Sequence, residues 1–423
     1  MRYLYSLLTY IAAPLFSVVL LLRGLRDRSY WHNFAQRFGF GPALDSSPIW
    51  VHAVSVGEVQ ASAALVNSLR ERYPNIPVIV TTFTPTGAGR ARALFKDRAE
   101  VRYLPYDLPG AVQRFFTRVR PRIAVIFETE LWPNLYHECG RRRVPLVLAS
   151  ARLSPRSVGR YQRLGSLFRE TLARGVVVAA QGEADATRFR ALGSDPGNTH
   201  VTGNLKFDFS VPDDIAERGQ ALRAYYAPGR PVWVAGSTHG GGEEEALIEA
   251  QKVVRSRYPR ALLVMAPRHP NRFGEVDAQL VSRGVRFVRR SQTPVAGALE
   301  EAEVLLLDTL GELLDFYAAA DVAFVGGSLV PIGGHNLLEP AALGLPILTG
   351  PNNSNSAEAA RQLVTNGAAQ IVQGDQDLGE KVAALFAEPD TRARMGHAGR
   401  DFVTANKGAL DKLLRLVVPL IEQ

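Results

Sequence analysis

The chain has 423 residues but only one cysteine and three methionines. A lone Cys139 excludes an intrachain disulfide and any metal site built on several thiolates, and it fits a reducing compartment. The eight histidines show no H-E-x-x-H or other metal-ligand spacing. G-x-S-x-G and Walker A patterns are missing, as is a D-x-D of the kind that holds a metal–nucleotide complex. There is no zinc-finger pattern and no RNA-recognition aromatic motif. Together these absences argue against a serine hydrolase, a P-loop nucleotidase and a nucleic-acid reader. A mechanism without metal or cofactor is the simplest expectation.

The composition is that of a globular protein, 46% hydrophobic and 21% charged, and the length suffices for two domains with separate cores. Charge is unevenly spread. Through Lys206 there are 28 Lys and Arg against 14 Asp and Glu, a balance of +14; the remainder carries 21 against 27, a balance of −6. A basic first half implies an anionic partner. The first residues say which. Tyr5 to Leu22 carries no charge, and Arg23, Arg26, Arg28 and Trp31 follow it. Such a run reads as a membrane anchor with the body on the cytoplasmic side, either spanning or lying in the interface. A cleaved signal peptide is the weaker reading, because no small-residue cleavage site follows. An anionic lipid surface, not nucleic acid, is then the expected partner of the basic half.

Beyond the anchor, strands alternate with helices. Pro48 to Val54 reads as a buried strand, followed by Ser55-Val56-Gly57-Glu58 and a helix from Val59 to Arg72. Glu58 thus falls at a strand's carboxyl end and a helix start, where open α/β sheets hold ligands. The strand Arg122 to Phe127 runs into Glu128-Thr129-Glu130-Leu131-Trp132-Pro133-Asn134, and Val144 to Ala149 runs into Ser150-Ala151-Arg152. Acids on two strand ends suggest a catalytic cleft; a structural ion pair with Arg152 is the competing reading. Lys206, in His200 to Asp208, lies at a strand-to-linker junction and is expected on a cleft rim, or simply in solvent. Residues 209–230, rich in Asp, Pro and Gly, read as the interdomain connection.

A second sheet begins at Pro231 to Gly236. Ala261 to Ala266 ends in Pro267-Arg268-His269-Pro270, where Arg268 can grip a phosphate bidentately. Asp308-Thr309-Leu310-Gly311-Glu312 is a loop-to-helix turn whose backbone can read a base edge. The strand Val322 to Val325 leads to Gly326-Gly327 and then to Pro331-Ile-Gly-Gly-His-Asn-Leu-Leu-Glu-Pro. A helix is expected to open near His335 or Asn336, with Gly333 and Gly334 allowing close approach of a ligand to the backbone. Glu339, one turn further in, is placed for a ribose diol. Repeated βα units predict two doubly wound parallel sheets. The expected boundaries are an anchor at 1–30, a first domain at 31–208, the connection at 209–230, a second domain at 231–404, and a last helix at 405–423.

These motifs together resemble the 3-deoxy-D-manno-octulosonic acid (Kdo) transferases of lipopolysaccharide synthesis. The resemblance rests on S-V-G-E at Ser55–Glu58, E-T-E-L-W-P-N at Glu128–Asn134, T-G-N-L-K-F-D at Thr202–Asp208, A-P-R-H-P at Ala266–Pro270, the D-T-L-G-E-L turn and G-G-H-N-L-L-E-P. It implies a GT-B fold, two Rossmann-like domains facing a cleft, with the last helix packing back on the first domain. It implies CMP-Kdo as donor and the tetraacyl lipid A precursor as acceptor, at the cytoplasmic face of the inner membrane. Glu58 matches the family's general base, and Glu128 and Lys206 match its transition-state stabilisers. Arg268, His269, Leu310, Gly311, Glu312, Asn336, Leu337, Leu338 and Glu339 match the CMP-binding positions. Two other readings remain: a different GT-B nucleotide-sugar enzyme, of the lipid-disaccharide synthase or 2-epimerase type, and a non-catalytic membrane-bound binding module.

Overall fold

The structure is a computed structural model that describes residues 1–173, 175–209, 211–292 and 297–423. It divides into two compact units, Met1–Phe209 with Asn406–Gln423, and Ser210–Ala405.

Unit 1 is built on seven parallel strands: β1 (Ile49–His52), β2 (Val78–Thr82), β3 (Glu100–Tyr103), β4 (Ile123–Phe127), β5 (Leu146–Ala151), β6 (Val177–Ala180) and β7 (Thr199–Val201). Their order is β3-β2-β1-β4-β5-β6-β7. Helices cover both faces of such a sheet, so its strands are continuous apolar runs and not alternating ones. The run Ile-Ala-Val-Ile-Phe of β4 is buried throughout. The final helix, Ala409–Ile421, sets Leu413, Val417 and Ile421 at four-residue spacing into this core, so the chain ends in the unit where it began.

The helix Arg2–Arg26 is long and apolar enough to cross a membrane. Its start is bonded to unit 1: the Ser6 hydroxyl donates to Asn134 Oδ1 at 2.8 Å, and the Gly110 N–H donates to the Tyr10 hydroxyl at 3.1 Å.

Unit 2 repeats the plan with β8 (Val232–Thr238), β9 (Leu262–Pro267), β10 (Phe287–Arg289), β11 (Val304–Leu306), β12 (Val322–Val325), β13 (Ile347–Thr349) and β14 (Ala369–Ile371). The order is β10-β11-β9-β8-β12-β13-β14, again parallel. Segment 209–230, whose residue 210 lies outside the described residues, is less of a connection than expected. It contains the helix Ile215–Tyr226, which packs on the helix Leu313–Ala318; a Cβ at Gly219 would lie 2.7 Å from Ala318. Asp213 and Asp214 mark the start of that helix, with Asp214 at its N-cap, and not an extended linker.

In each sheet the strands that next follow the first one lie on one side of it, and the later strands lie on the other side. The reversal falls between β1 and β4 in unit 1, and between β8 and β12 in unit 2. Open α/β sheets bind ligands outside the carboxyl ends of the two strands that flank such a reversal. The segments that follow those strands carry Glu58 and Glu128 in unit 1, and His239 and Gly326–Gly327 in unit 2.

Candidate active site

In unit 1, β1 hands over to the helix Val56–Arg72 through Ser55, which caps it. Ser55 and Glu58 stand three apart in a capping box. The Ser55 hydroxyl donates to Glu58 Oε1 at 3.0 Å, and the Val54 N–H donates to Oε2 at 2.8 Å. Both oxygens therefore have a partner, yet each keeps a second lone pair able to take a proton. Burial raises the pKa of this carboxyl above the ordinary glutamate value, against the pull of the Val54 N–H; Glu128 adds to the rise and Lys206 opposes it.

Glu128 follows β4 in a left-handed backbone conformation (φ 55°), an uncommon one for a non-glycine residue and typical of held functional positions. Its carboxylate accepts from Lys206 Nζ at 3.0 Å. Lys206 itself sits in the single turn Leu205–Phe207, whose start is fixed by Asn204 Oδ1 accepting from the Lys206 N–H at 3.0 Å. The cation paired with Glu128 is thus Lys206. Arg152 is exposed, and its carbonyl is what the loop uses, as an acceptor for the Thr129 hydroxyl.

Glu130 completes the group. Burial pushes its carboxyl up to about 7, and the charges of Glu58 and Glu128 push the same way. Two like charges close together resist joint ionisation. Unit 1 therefore sets three carboxyls and one ammonium around the ends of β1 and β4, with two of the three acids made more basic than usual.

Unit 2 is arranged differently. Glu243, at the start of the helix Glu243–Arg257, accepts four backbone N–H groups: His239 at 3.0 Å and Gly327 at 2.8 Å on Oε2, Ser328 and Leu329 at 3.0 Å each on Oε1. This buried carboxylate clamps the loop after β8 to the loop after β12. Three of its four donors, Gly327, Ser328 and Leu329, lie more than 80 positions away in the chain, so the sequence alone does not pair them with Glu243. Three imidazoles gather on these loops. His239 and His335 stack at 5.0 Å with Nε2 to Nε2 at 2.7 Å, and His239 meets His269 edge-on at 5.4 Å. Burial drives His335 down to about 4, and the neighbouring His239, Arg268 and His269 push it the same way. A direct Nε2···Nε2 hydrogen bond needs one ring to donate and the other, deprotonated at Nε2, to accept. His239 and His335 were not among the expected site residues; their pairing, 96 positions apart, is a product of the fold.

Arg268 and His269 follow β9 and are exposed. Among the described residues no carboxylate bridges Arg268. Arg268 acts on the buried Glu339, whose carboxyl burial raises while Asn336 and Arg268 pull it back. The expected helix opens later than predicted, at Leu338, and spans only Leu338–Leu343. Asn336 is the reason: its Oδ1 accepts from the Leu338 N–H and its Nδ2 donates to Glu339 Oε1, both at 3.0 Å. Pro340 then fits the first turn, where no N–H is needed. Leu337 and Leu338 are buried, so they support the turn from beneath. Gly333 and Gly334 also serve another purpose than expected. A Cβ would strike Ser354 Oγ at 2.6 Å and Asn353 Oδ1 at 2.4 Å respectively, so the close approach is to residues 352–355 of the chain itself.

In the 308–312 turn, Leu310 is 72% exposed and Gly311 takes φ 90°. The Glu312 carboxylate is engaged by Arg290 at 2.6 Å and by the Thr309 hydroxyl, and the Glu312 carbonyl by the Asp315 and Phe316 N–H groups. The D-x-D letters at Asp375–Asp377 only start a helix, with Asp377 accepting from the Gln373 N–H and from Lys381. Among the described residues no group of three or more His, Cys, Asp and Glu side chains is placed to hold a metal ion.

Two doubly wound units of this kind define the GT-B fold. Solved structures share it: a glycosyltransferase from Rickettsia africae (TM-score 0.55, 14% identity, 90% of this chain and 100% of that one) and a UDP-GlcNAc 2-epimerase from Neisseria meningitidis bound to UDP-GlcNAc (TM-score 0.55, 14% identity, 88% and 100%). At such identity the likeness is one of fold alone. The family is set by sequence. Residues 32–209 match the family model described as 3-deoxy-D-manno-octulosonic-acid transferase (kdotransferase). The 3-deoxy-D-manno-octulosonic acid transferase of Haemophilus influenzae is 38% identical over 100% of this chain and 99% of its own length; that of Bordetella pertussis is 39% identical over 98% of each. The chain belongs to the 3-deoxy-D-manno-octulosonic acid transferases, as its motifs implied, and it is a glycosyltransferase of lipopolysaccharide synthesis.

Proposed function

We propose that this Kdo transferase uses CMP-Kdo as donor and the 6′-hydroxyl of the tetraacyl lipid A precursor as acceptor, with inversion, at the cytoplasmic face of the inner membrane. The observation that carries the chemistry is the grouping of Glu58, Glu128, Glu130 and Lys206 at the reversal of the first sheet. Glu58 takes the hydroxyl proton as the acceptor oxygen forms its bond to the anomeric carbon of Kdo. The bond from that carbon to the phosphate breaks, and CMP leaves with the electron pair on the opposite face, which inverts the centre. A raised pKa suits this task, since a general base works best when poised near the working pH. Glu128 and Lys206 act as a linked pair, the carboxylate facing developing positive charge on the sugar and the ammonium facing developing negative charge.

Unit 2 takes the donor. Arg268, without a carboxylate of its own, and His269 meet the phosphate. Leu310 offers an apolar surface to the cytosine, the backbone of Leu310–Glu312 reads its edge, and Asn336 with Glu339 holds the ribose. The scheme calls on no metal and no cofactor. The apolar helix and the basic balance of the first half favour an anionic leaflet and a phosphorylated lipid acceptor. The test is mass spectrometry of the lipid after incubation with CMP-Kdo generated in situ. Gain of one or more Kdo masses is expected; an unchanged lipid with intact donor would overturn the acceptor and donor assignments.

A further inference from the structure

The side of the N-terminal helix that meets unit 1 is marked by a stripe. Ser6 and Gly24 are buried, and Thr9, Ala13 and Ser17 between them are half-buried, at three- to seven-residue intervals that keep them on one face. The other faces are apolar and bare: Leu4, Leu8, Ile11, Leu15, Phe16 and Leu22 are all more than half exposed. The small and polar residues thus turn to the body, and the large apolar ones turn away along the full length of the helix.

The helix is fastened to the body at its start and, through the segment that follows it, beyond its end. At the start, Ser6 donates to Asn134, Tyr10 accepts from the Gly110 N–H, and the Tyr5 hydroxyl faces the Asp107 carboxylate. Midway, Ser17 lies beside the Tyr106 hydroxyl. At the end, the Trp31 indole folds back over Gly24, where a Cβ would lie 1.9 Å from it, and donates to the Leu21 carbonyl at 3.0 Å. Just beyond, Gln36 accepts from the Tyr103 N–H at 2.9 Å and Arg37 donates to the Phe83 carbonyl at 3.0 Å. A helix of 25 residues is about 37 Å long. If it crossed a hydrocarbon layer about 30 Å thick, one of its fastened ends would have to be on the far side. Asp107 and Asn134 would then lie on the far side with it, and they are parts of the body.

These same contacts reach the loop that bears the acids. Asp107 accepts from the Asn134 N–H at 3.0 Å and the Leu135 N–H at 2.8 Å, and the Asn134 amide donates to the Asp107 carbonyl at 2.7 Å. That fixes the first turn of the helix Pro133–Arg142, which receives the loop from Glu128 to Trp132. From within this helix, the Tyr136 hydroxyl donates to the Glu130 carbonyl at 3.0 Å.

We infer that the N-terminal helix lies in the plane of the lipid surface along unit 1, and that Ser6, Asp107 and Asn134 are positioning residues tying this lipid-facing helix to the Glu128–Glu130 loop. The inference rests on the proposed membrane-face transfer reaction. Lipid seated against the outer face of the helix steadies the inner face, and through Asn134 and Asp107 it steadies the loop.

Two arms test it with the full chain on anionic phospholipid vesicles. In the first, Leu4→Cys, Leu15→Cys and Leu25→Cys variants carry a fluorophore read for depth with lipids brominated at different acyl positions; Cys139 is buried and stays silent. Equal shallow depth at all three is expected, and a deep Leu15 between two shallow ends would overturn the in-plane helix. In the second arm, Ser6→Ala and Asp107→Asn are assayed. The expected result is a three- to tenfold lower kcat, on the order of one or two lost hydrogen bonds, with KM for CMP-Kdo and vesicle binding unchanged, and rescue by Ser6→Thr. Unchanged kcat in Ser6→Ala would overturn the positioning role even if Asp107→Asn failed to fold. Absence of transfer by the unaltered protein would instead strike the reaction itself.

Discussion

The two units share one sheet topology and treat their charges in opposite ways. Unit 1 crowds three carboxyls around one ammonium at the reversal of its sheet, and burial raises two of them. Unit 2 satisfies its acids instead: Glu243 with four backbone N–H groups, Glu312 with Arg290, Glu339 with Asn336. Among the described residues, its exposed Arg268 has no carboxylate partner and lies beside His335, whose pKa burial and its neighbours lower. A site that must take a proton keeps carboxyls whose protonation is closely balanced. A site that must take an anion neutralises its own anions and leaves positive charge and N–H groups outward. One fold thus serves two chemistries: the acids of unit 1 push one another's pKa up, whereas those of unit 2 are each held by their own donors.

Substitutions on either side should therefore separate cleanly. The largest effect is expected from Glu58→Gln, a loss of about 10²–10⁴-fold in kcat with CMP still stabilising the protein in a thermal melt. Arg268→Ala should do the converse: donor KM up about 10- to 100-fold as a charge-assisted contact is lost, and the CMP-induced rise in Tm much reduced. Equal loss of CMP binding in both variants would break the comparison.

Lys206→Met sharpens it by pH. The ammonium favours the ionised form of Glu58, so its removal raises the Glu58 pKa further, and the acid limb of the kcat/KM profile should move to higher pH. A limb that stays or moves to lower pH would separate Lys206 from the base. The smallest effect on chemistry, with a clear one on stability, is expected from Glu243→Gln. An amide has one oxygen for acceptance where the carboxylate uses two, so two of the four N–H groups lose their partner, costing about 1–3 kcal/mol by denaturant unfolding. CMP binding should weaken with it, because the loop after β12 is no longer clamped.

Much of this was legible in the sequence, for a physical reason. Buried parallel strands are continuous apolar runs, and the residues that follow them in each βα unit land at the ligand-binding edge of the sheet. Glu58, Glu128, Arg268 and the 308–312 turn could be picked out by that placement alone. What could not be read depends on partners distant in the chain. The clamp at Glu243 exists only because the fold brings Gly327, Ser328 and Leu329 to it. The partner of Glu128 is 78 positions away at Lys206 and not at nearby Arg152. The helix start after Gly333-Gly334 slipped to Leu338 because Asn336 uses its side chain as a cap, a local preference that the glycine pattern obscured. The N-terminal run announced a membrane helix, but which of its faces turns to the body depends on partners 100 or more positions away.

The account stands most directly on one paired assay. The unaltered protein and Glu58→Gln are incubated with CMP-Kdo and the tetraacyl lipid A precursor, and each is also melted with CMP. The prediction is Kdo mass on the lipid for the first, none above about one per cent of it for the second, and the same CMP stabilisation for both. Full transfer by Glu58→Gln, with lipid and donor consumed as before, would contradict the assignment of the proton-taking step to unit 1.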